Sequence, residues 1–165
     1  MKTLVIHPSD KSTDFLSPIY GDKDWTIITN NKCPKSLLKS LIKSHDRIIM
    51  MGHGSPSGLF GSGCVLIDSK LVYLLKDKYC VGIWCHANDF FSKYKLNGYA
   101  TGMVVSDSDE ADYYNLNYKL SDIDFANNLL TDSFKLAIDS NDIRGLLLDN
   151  YNGDSDVILF NKSNL

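Results

Sequence analysis

The sequence predicts an α/β fold: a three-layer sandwich whose mostly parallel central sheet carries helices on both faces. Three observations lead there. Short apolar runs of strand character recur along the chain, at Leu4-Val5-Ile6, Trp25–Thr29, Ile48–Met51 and Tyr79–Trp84. Each is bounded by turn residues, as buried strands are. Between them lie stretches with apolar residues at helical spacing, and strands alternating with helices make a parallel sheet.

The elements follow in order. Leu4-Val5-Ile6 is a first strand, ended by His7-Pro8, because proline cannot continue a central ladder. Ser9 to Tyr20 is polar with apolar anchors and holds a short helix before Gly21. Trp25–Thr29 is a second strand closed by Asn30-Asn31. Pro34 then opens a helix with Leu37, Leu38, Leu41 and Ile42 on one side and lysines opposite. Ile48–Met51 is a buried strand that stops on Gly52-His53-Gly54, and Leu59–Ile67 reads as a hairpin around Gly61-Ser62-Gly63. Asp68-Ser69 caps a helix through Leu75, Tyr79–Trp84 is the next strand, and Asn88 or Asp89 caps the helix after it. Tyr99 to Val105 is predicted as a strand and residues 121–139 as a long amphipathic helix. A weaker helix covers Ile143–Leu148, and a last strand covers Val157–Phe160.

Size and composition set bounds. At 165 residues, 44% apolar and 22% charged, the chain has the balance of one globular domain over 1–165. No apolar stretch approaches the eighteen or so residues of a membrane span. The first apolar run is too short for a signal peptide, which gives a cytoplasmic expectation. The net charge of −3 hides an asymmetry, thirteen Lys/Arg against eight Asp/Glu in residues 1–100 and four against twelve in 101–165. No basic stripe with interleaved aromatics accompanies it, so no nucleic-acid partner is expected. Cys33, Cys64, Cys80 and Cys85 form no CxxC pair, which predicts free thiols, no metal and no cofactor. Cys64 and Cys80 are expected in the core.

The chemistry points to His53 and Cys85. Both end predicted parallel strands separated by a hairpin and a crossover helix, so their side chains emerge together at the carboxyl edge, where such sheets bind ligands. A thiol needs a base to become a nucleophile, and an imidazole can take its proton and later protonate a leaving amine. The N–H groups of Gly54 and Cys85 are the candidate donors for an oxyanion.

His53-Gly54-Ser55-Pro56-Ser57-Gly58-Leu59-Phe60 resembles the histidine motif, and Cys80-Val81-Gly82-Ile83-Trp84-Cys85 the nucleophile block, of the caspase-like clan of cysteine peptidases. Caspases, legumains, gingipains, clostripain, separases and bacterial CHAT-type proteases belong to it. The resemblance covers roughly residues 1–110 in element order. It implies a cysteine endopeptidase with a His53–Cys85 dyad, Gly54 in the oxyanion hole and a polypeptide substrate. The chain departs from the clan at Trp84, where a small residue is usual, and at His86-Ala87-Asn88, where a glycine is common. Those departures also suit an inactive module that binds a protein partner or activator. Asp107 and Asp109, after the next strand, are expected to bind substrate and to favour lysine or arginine there. Gly52-His53-Gly54-Ser55 also resembles the histidine motif of small tetrapyrrole chelatases, a reading that leaves Cys85 unexplained.

Overall fold

The computed structural model describes all residues, Met1–Leu165. Five parallel strands form the central sheet in the order β2-β1-β3-β7-β8, where β1 is Thr3–Ile6, β2 Thr26–Ile28, β3 Arg47–Met51, β7 Tyr79–Ile83 and β8 Asn97–Ala100. A separate antiparallel sheet of β4 (Gly54–Ser55), β5 (Gly58–Gly61) and β6 (Cys64–Ile67) stands beyond the end of β3. Seven α-helices (α1 Lys35–Ser44, α2 Val72–Leu75, α3 Ala87–Tyr94, α4 Ser108–Tyr113, α5 Leu120–Ala137, α6 Ile143–Asn150 and α7 Asp156–Ser163) and two 3-10 helices, Asp14–Ile19 and Ser69–Leu71, complete the chain. None is long and apolar enough to cross a membrane.

The period of two along each strand divides the core into two layers. Leu4, Ile6, Ile48, Met50 and Cys80 face α1, α2 and α3, joined by Leu38, Ile42, Leu75, Phe90 and Phe91. Val5, Ile49, Met51, Val81 and Ile83 face α5, α6 and α7, joined by Ile123, Ala126, Leu130, Phe134 and Ala137 of α5. Each fully buried aliphatic side chain stabilises the fold by about 1.5–3 kcal/mol. At the opposite edge from the site, buried Arg47 ties the layers together. Its guanidinium donates to the Thr3 Oγ1 (3.0 Å), the Ile138 carbonyl (3.1 Å) and the Asp139 carboxylate (2.9 Å), and lies over the Trp25 ring.

The sandwich and its parallel sheet agree with the sequence reading, and three local differences have clear causes. The predicted strand at Tyr99–Val105 leaves β7 after the Thr101 N–H, which donates to the Gly82 carbonyl, because the groups beyond it find other partners. Gly102 N–H donates to the Asn164 carbonyl, and the buried Asn161 amide bonds both the N–H and the C=O of Val105 (2.7 and 2.9 Å). Those Asn residues belong to α7 and its end, where the sequence reading expected a strand. Ser155 accepts from the Ile158 N–H and starts a helix there, with Val157, Ile158 and Asn161 inward. The acidic run also holds a helix, α4, because Asp107 accepts from the Glu110 N–H. Among single residues, Leu37 is exposed, and Cys64 sits exposed at the start of β6 instead of in the core.

Candidate active site

β3 and β7 are adjacent and in register from Arg47↔Tyr79 to Met51↔Ile83. Their continuations therefore leave the sheet side by side. After Met51 the chain passes through Gly52 at φ +133°, a backbone conformation that a residue with a Cβ rarely adopts. After Ile83 it turns through Cys85 and a left-handed His86 (φ 65°) into α3. His86, not Asn88 or Asp89, occupies the cap position, and its ring lies 3.3 Å from the Asp89 carboxylate. His53 and Cys85 consequently wall one narrow cleft, with a free volume of about 30 Å³ that opens to solvent.

His53 is held by a hydrogen-bond chain that the sequence reading missed. Its Nε2 lies 2.6 Å from the Ser12 Oγ, which in turn lies 2.6 Å from the Asp10 Oδ1. An ionised carboxylate can only accept, so the Ser12 hydroxyl proton goes to Asp10 and its lone pair accepts from His53 Nε2–H. The bonds from the Ser12 N–H and hydroxyl hold the Asp10 carboxyl below its ordinary range, which keeps it ionised. In the neutral ring this bond places the proton on Nε2 and leaves Nδ1 with the lone pair. Asp10-Lys11-Ser12 is legible as a local turn, but nothing in the sequence connects it with a histidine 41 positions away.

Cys85 is partly buried. Its Sγ lies 3.6 Å from the Val104 carbonyl and 4.0 Å from Glu110 Oε1. Burial, and then the Glu110 carboxylate, push the thiol up to about 11. Glu110 is itself raised by burial, although its Oε2 accepts from both the N–H and the hydroxyl of Ser106. Cys85 is thus a protonated thiol at rest.

The remaining predicted residues fall as follows. Asp107 caps α4, and Asp109 is exposed on that helix; neither walls the cleft, and Glu110 is the acid of the run that reaches Cys85. Gly54 lies one residue beyond the cleft wall, pairing with Leu59 in β4. Phe60 N–H donates to the His53 carbonyl, so antiparallel alternation turns the Gly54 N–H away from β5. A Cβ on Gly54 would come within 2.1 Å of the Trp84 ring. Trp84 itself is buried against Phe90 and Phe91, and its Nε1–H donates to the Ser55 carbonyl (3.1 Å). Its bulk therefore fills the α3 side of the sheet and supports the hairpin. Cys85 N–H makes no backbone-to-backbone hydrogen bond. His7 ends β1 at the same edge but is buried, bonded to Tyr20 and Thr13.

Comparisons of the chain with protein-family models, with curated proteins and with solved structures return no match. Fold and site nonetheless define a class: an α/β sandwich with an oriented histidine and a thiol at the carboxyl edge of adjacent parallel strands. The caspase-like resemblance rests on its two motifs.

Proposed function

We propose that the protein is a cysteine endopeptidase of the caspase-like type. The observation that carries this reading is the shared cleft of His53 and Cys85, with Nδ1 of His53 left free by the Ser12–Asp10 chain. In the first step Cys85 Sγ attacks the scissile carbonyl carbon while its proton passes to His53 Nδ1. The carbonyl oxygen becomes an oxyanion, toward which the N–H groups of Gly54 and Cys85 donate. The C–N bond breaks as His53 returns the proton to the leaving amine, and a thioester remains on Cys85. Water, losing a proton to His53, then hydrolyses the thioester and restores the thiol. Because the thiol is protonated at rest, attack and proton transfer occur together when substrate is bound, without a standing thiolate–imidazolium pair.

Digestion of a denatured protein mixture, with new N-termini read by mass spectrometry, tests this. Wild type should generate new termini, and Cys85→Ala and His53→Ala should not. Cleavage that survives Cys85→Ala would sink the proposal. The raised thiol and the carboxylate beside it favour a second reading, a catalytically silent module that binds a partner. That reading predicts no cleavage by any of the three proteins.

A further inference from the structure

His53 borders two clefts of opposite character. On the Cys85 side the walls are mostly apolar, with Phe15, Leu16, Ile83, Val104 and Leu130 interrupted by Thr13, Thr101 and Ser106, and His53 is the only ionisable side chain there besides the thiol. On the other side Ser9, Asp10, Asn31 and Ser62 line a polar cleft that does not include Cys85. The acid that protonates a leaving amine must stand on the leaving-group side of the scissile bond. The leaving segment therefore departs past His53 toward the polar cleft, and the acyl segment stays in the cleft beside Cys85.

From this placement, and resting on the peptidase reading, we infer that the site selects an apolar residue at the position that contributes the scissile carbonyl. A lysine or arginine there would bring its charge against Leu16, Leu130 and Val104, all nearly inaccessible to water. An unpaired charge on such walls is strongly disfavoured. No carboxylate waits to receive it. Asp107 is engaged by the α4 backbone, Asp109 faces solvent, and Glu110 stands outside the wall with one oxygen held by two donors from Ser106. An aspartate would meet the same apolar walls. The basic preference expected from the acidic run is thus replaced by an apolar one.

Three peptidyl acyloxymethyl ketones, identical except for leucine, lysine or aspartate next to the ketone, test the inference on the full chain. Cys85 Sγ displaces the carboxylate leaving group and forms a thioether, which is located by peptide mass spectrometry. The leucine probe should label Cys85 at least about tenfold faster than either charged probe, a gap of roughly 1.4 kcal/mol. Phe15→Glu, at the half-buried rim, should narrow the leucine-to-lysine ratio. Faster labelling by the lysine or aspartate probe would overturn the apolar inference and leave the dyad standing. Failure of all three probes to label Cys85 would overturn the peptidase reading and the inference with it.

Discussion

Replacing Glu110 with glutamine probes the electrostatics of the site directly. The substitution removes a carboxylate 4.0 Å from Cys85 Sγ and keeps one oxygen to accept from Ser106. A full charge at that separation is worth about 4 kcal/mol at an effective dielectric of about 20. That figure is a ceiling, because burial is the larger cause of the raised thiol and survives the mutation. A fall of about one unit, or ~1.4 kcal/mol, is the expected result. At pH 8 the thiolate fraction then rises about tenfold. The less basic thiolate is a weaker nucleophile, with a Brønsted slope of about 0.4–0.5, so alkylation gains only about three- to fourfold. The assay is iodoacetamide labelling from pH 7 to 11, with each cysteine read separately by mass spectrometry. Wild-type Cys85 should still be gaining rate at pH 10, toward a midpoint of about 11. A wild-type plateau below pH 8, or a Glu110→Gln profile that superposes on wild type, would refute this electrostatic reasoning.

Other expectations concern the scaffold. Gly54→Ala drives a methyl into the Trp84 ring and the Gly58 carbonyl, and should cost at least about 1–3 kcal/mol, read as a lowered urea midpoint. Asn161→Ala strips both backbone groups of Val105 of their partner and should destabilise by roughly 2–4 kcal/mol; an unchanged midpoint would mean that water replaces the amide. Buried His7 has its pKa lowered below 6.5, chiefly by desolvation. The unfolded chain therefore takes up a proton near pH 6.5 that the native chain does not. The His7 contribution is complete above that value and is lost as pH falls below it toward the native pKa. His7→Gln should flatten this part of the stability profile below about pH 6.5.

The sheet and the placement of His53 and Cys85 were legible because β3 and β7 are apolar, short and sharply punctuated. Gly52 and the turn at Cys85-His86 fix where each strand stops, and the β5–β6 hairpin and α2 occupy the crossover between them. The C-terminal third was read less well. Val157–Phe160 carries strand-forming residues, but Ser155 caps it as a helix and Asn161 needs a place in the core beside Val105. Such a long-range pairing leaves no periodic trace. The same holds in the site. The Ser12–His53 bond and the approach of Glu110 to Cys85 span 41 and 25 positions, whereas the acidic run from Asp107 suggested a substrate pocket by its composition alone. Asp107 of that run caps α4, and Glu110 adds to the burial that raises the Cys85 thiol.

The central claim, that Cys85 attacks with His53 as its base, is tested most directly by trapping the acyl intermediate. The protein is mixed with an activated ester of an apolar acyl-amino acid, quenched in acid within the first turnover and mapped by mass spectrometry. A hydroxylamine-sensitive acyl group should appear on Cys85, formed far more slowly in His53→Ala and absent from Cys85→Ala. An acyl group confined to exposed Cys64 or to lysines, or acylation of Cys85 at the same rate without His53, would contradict the claim.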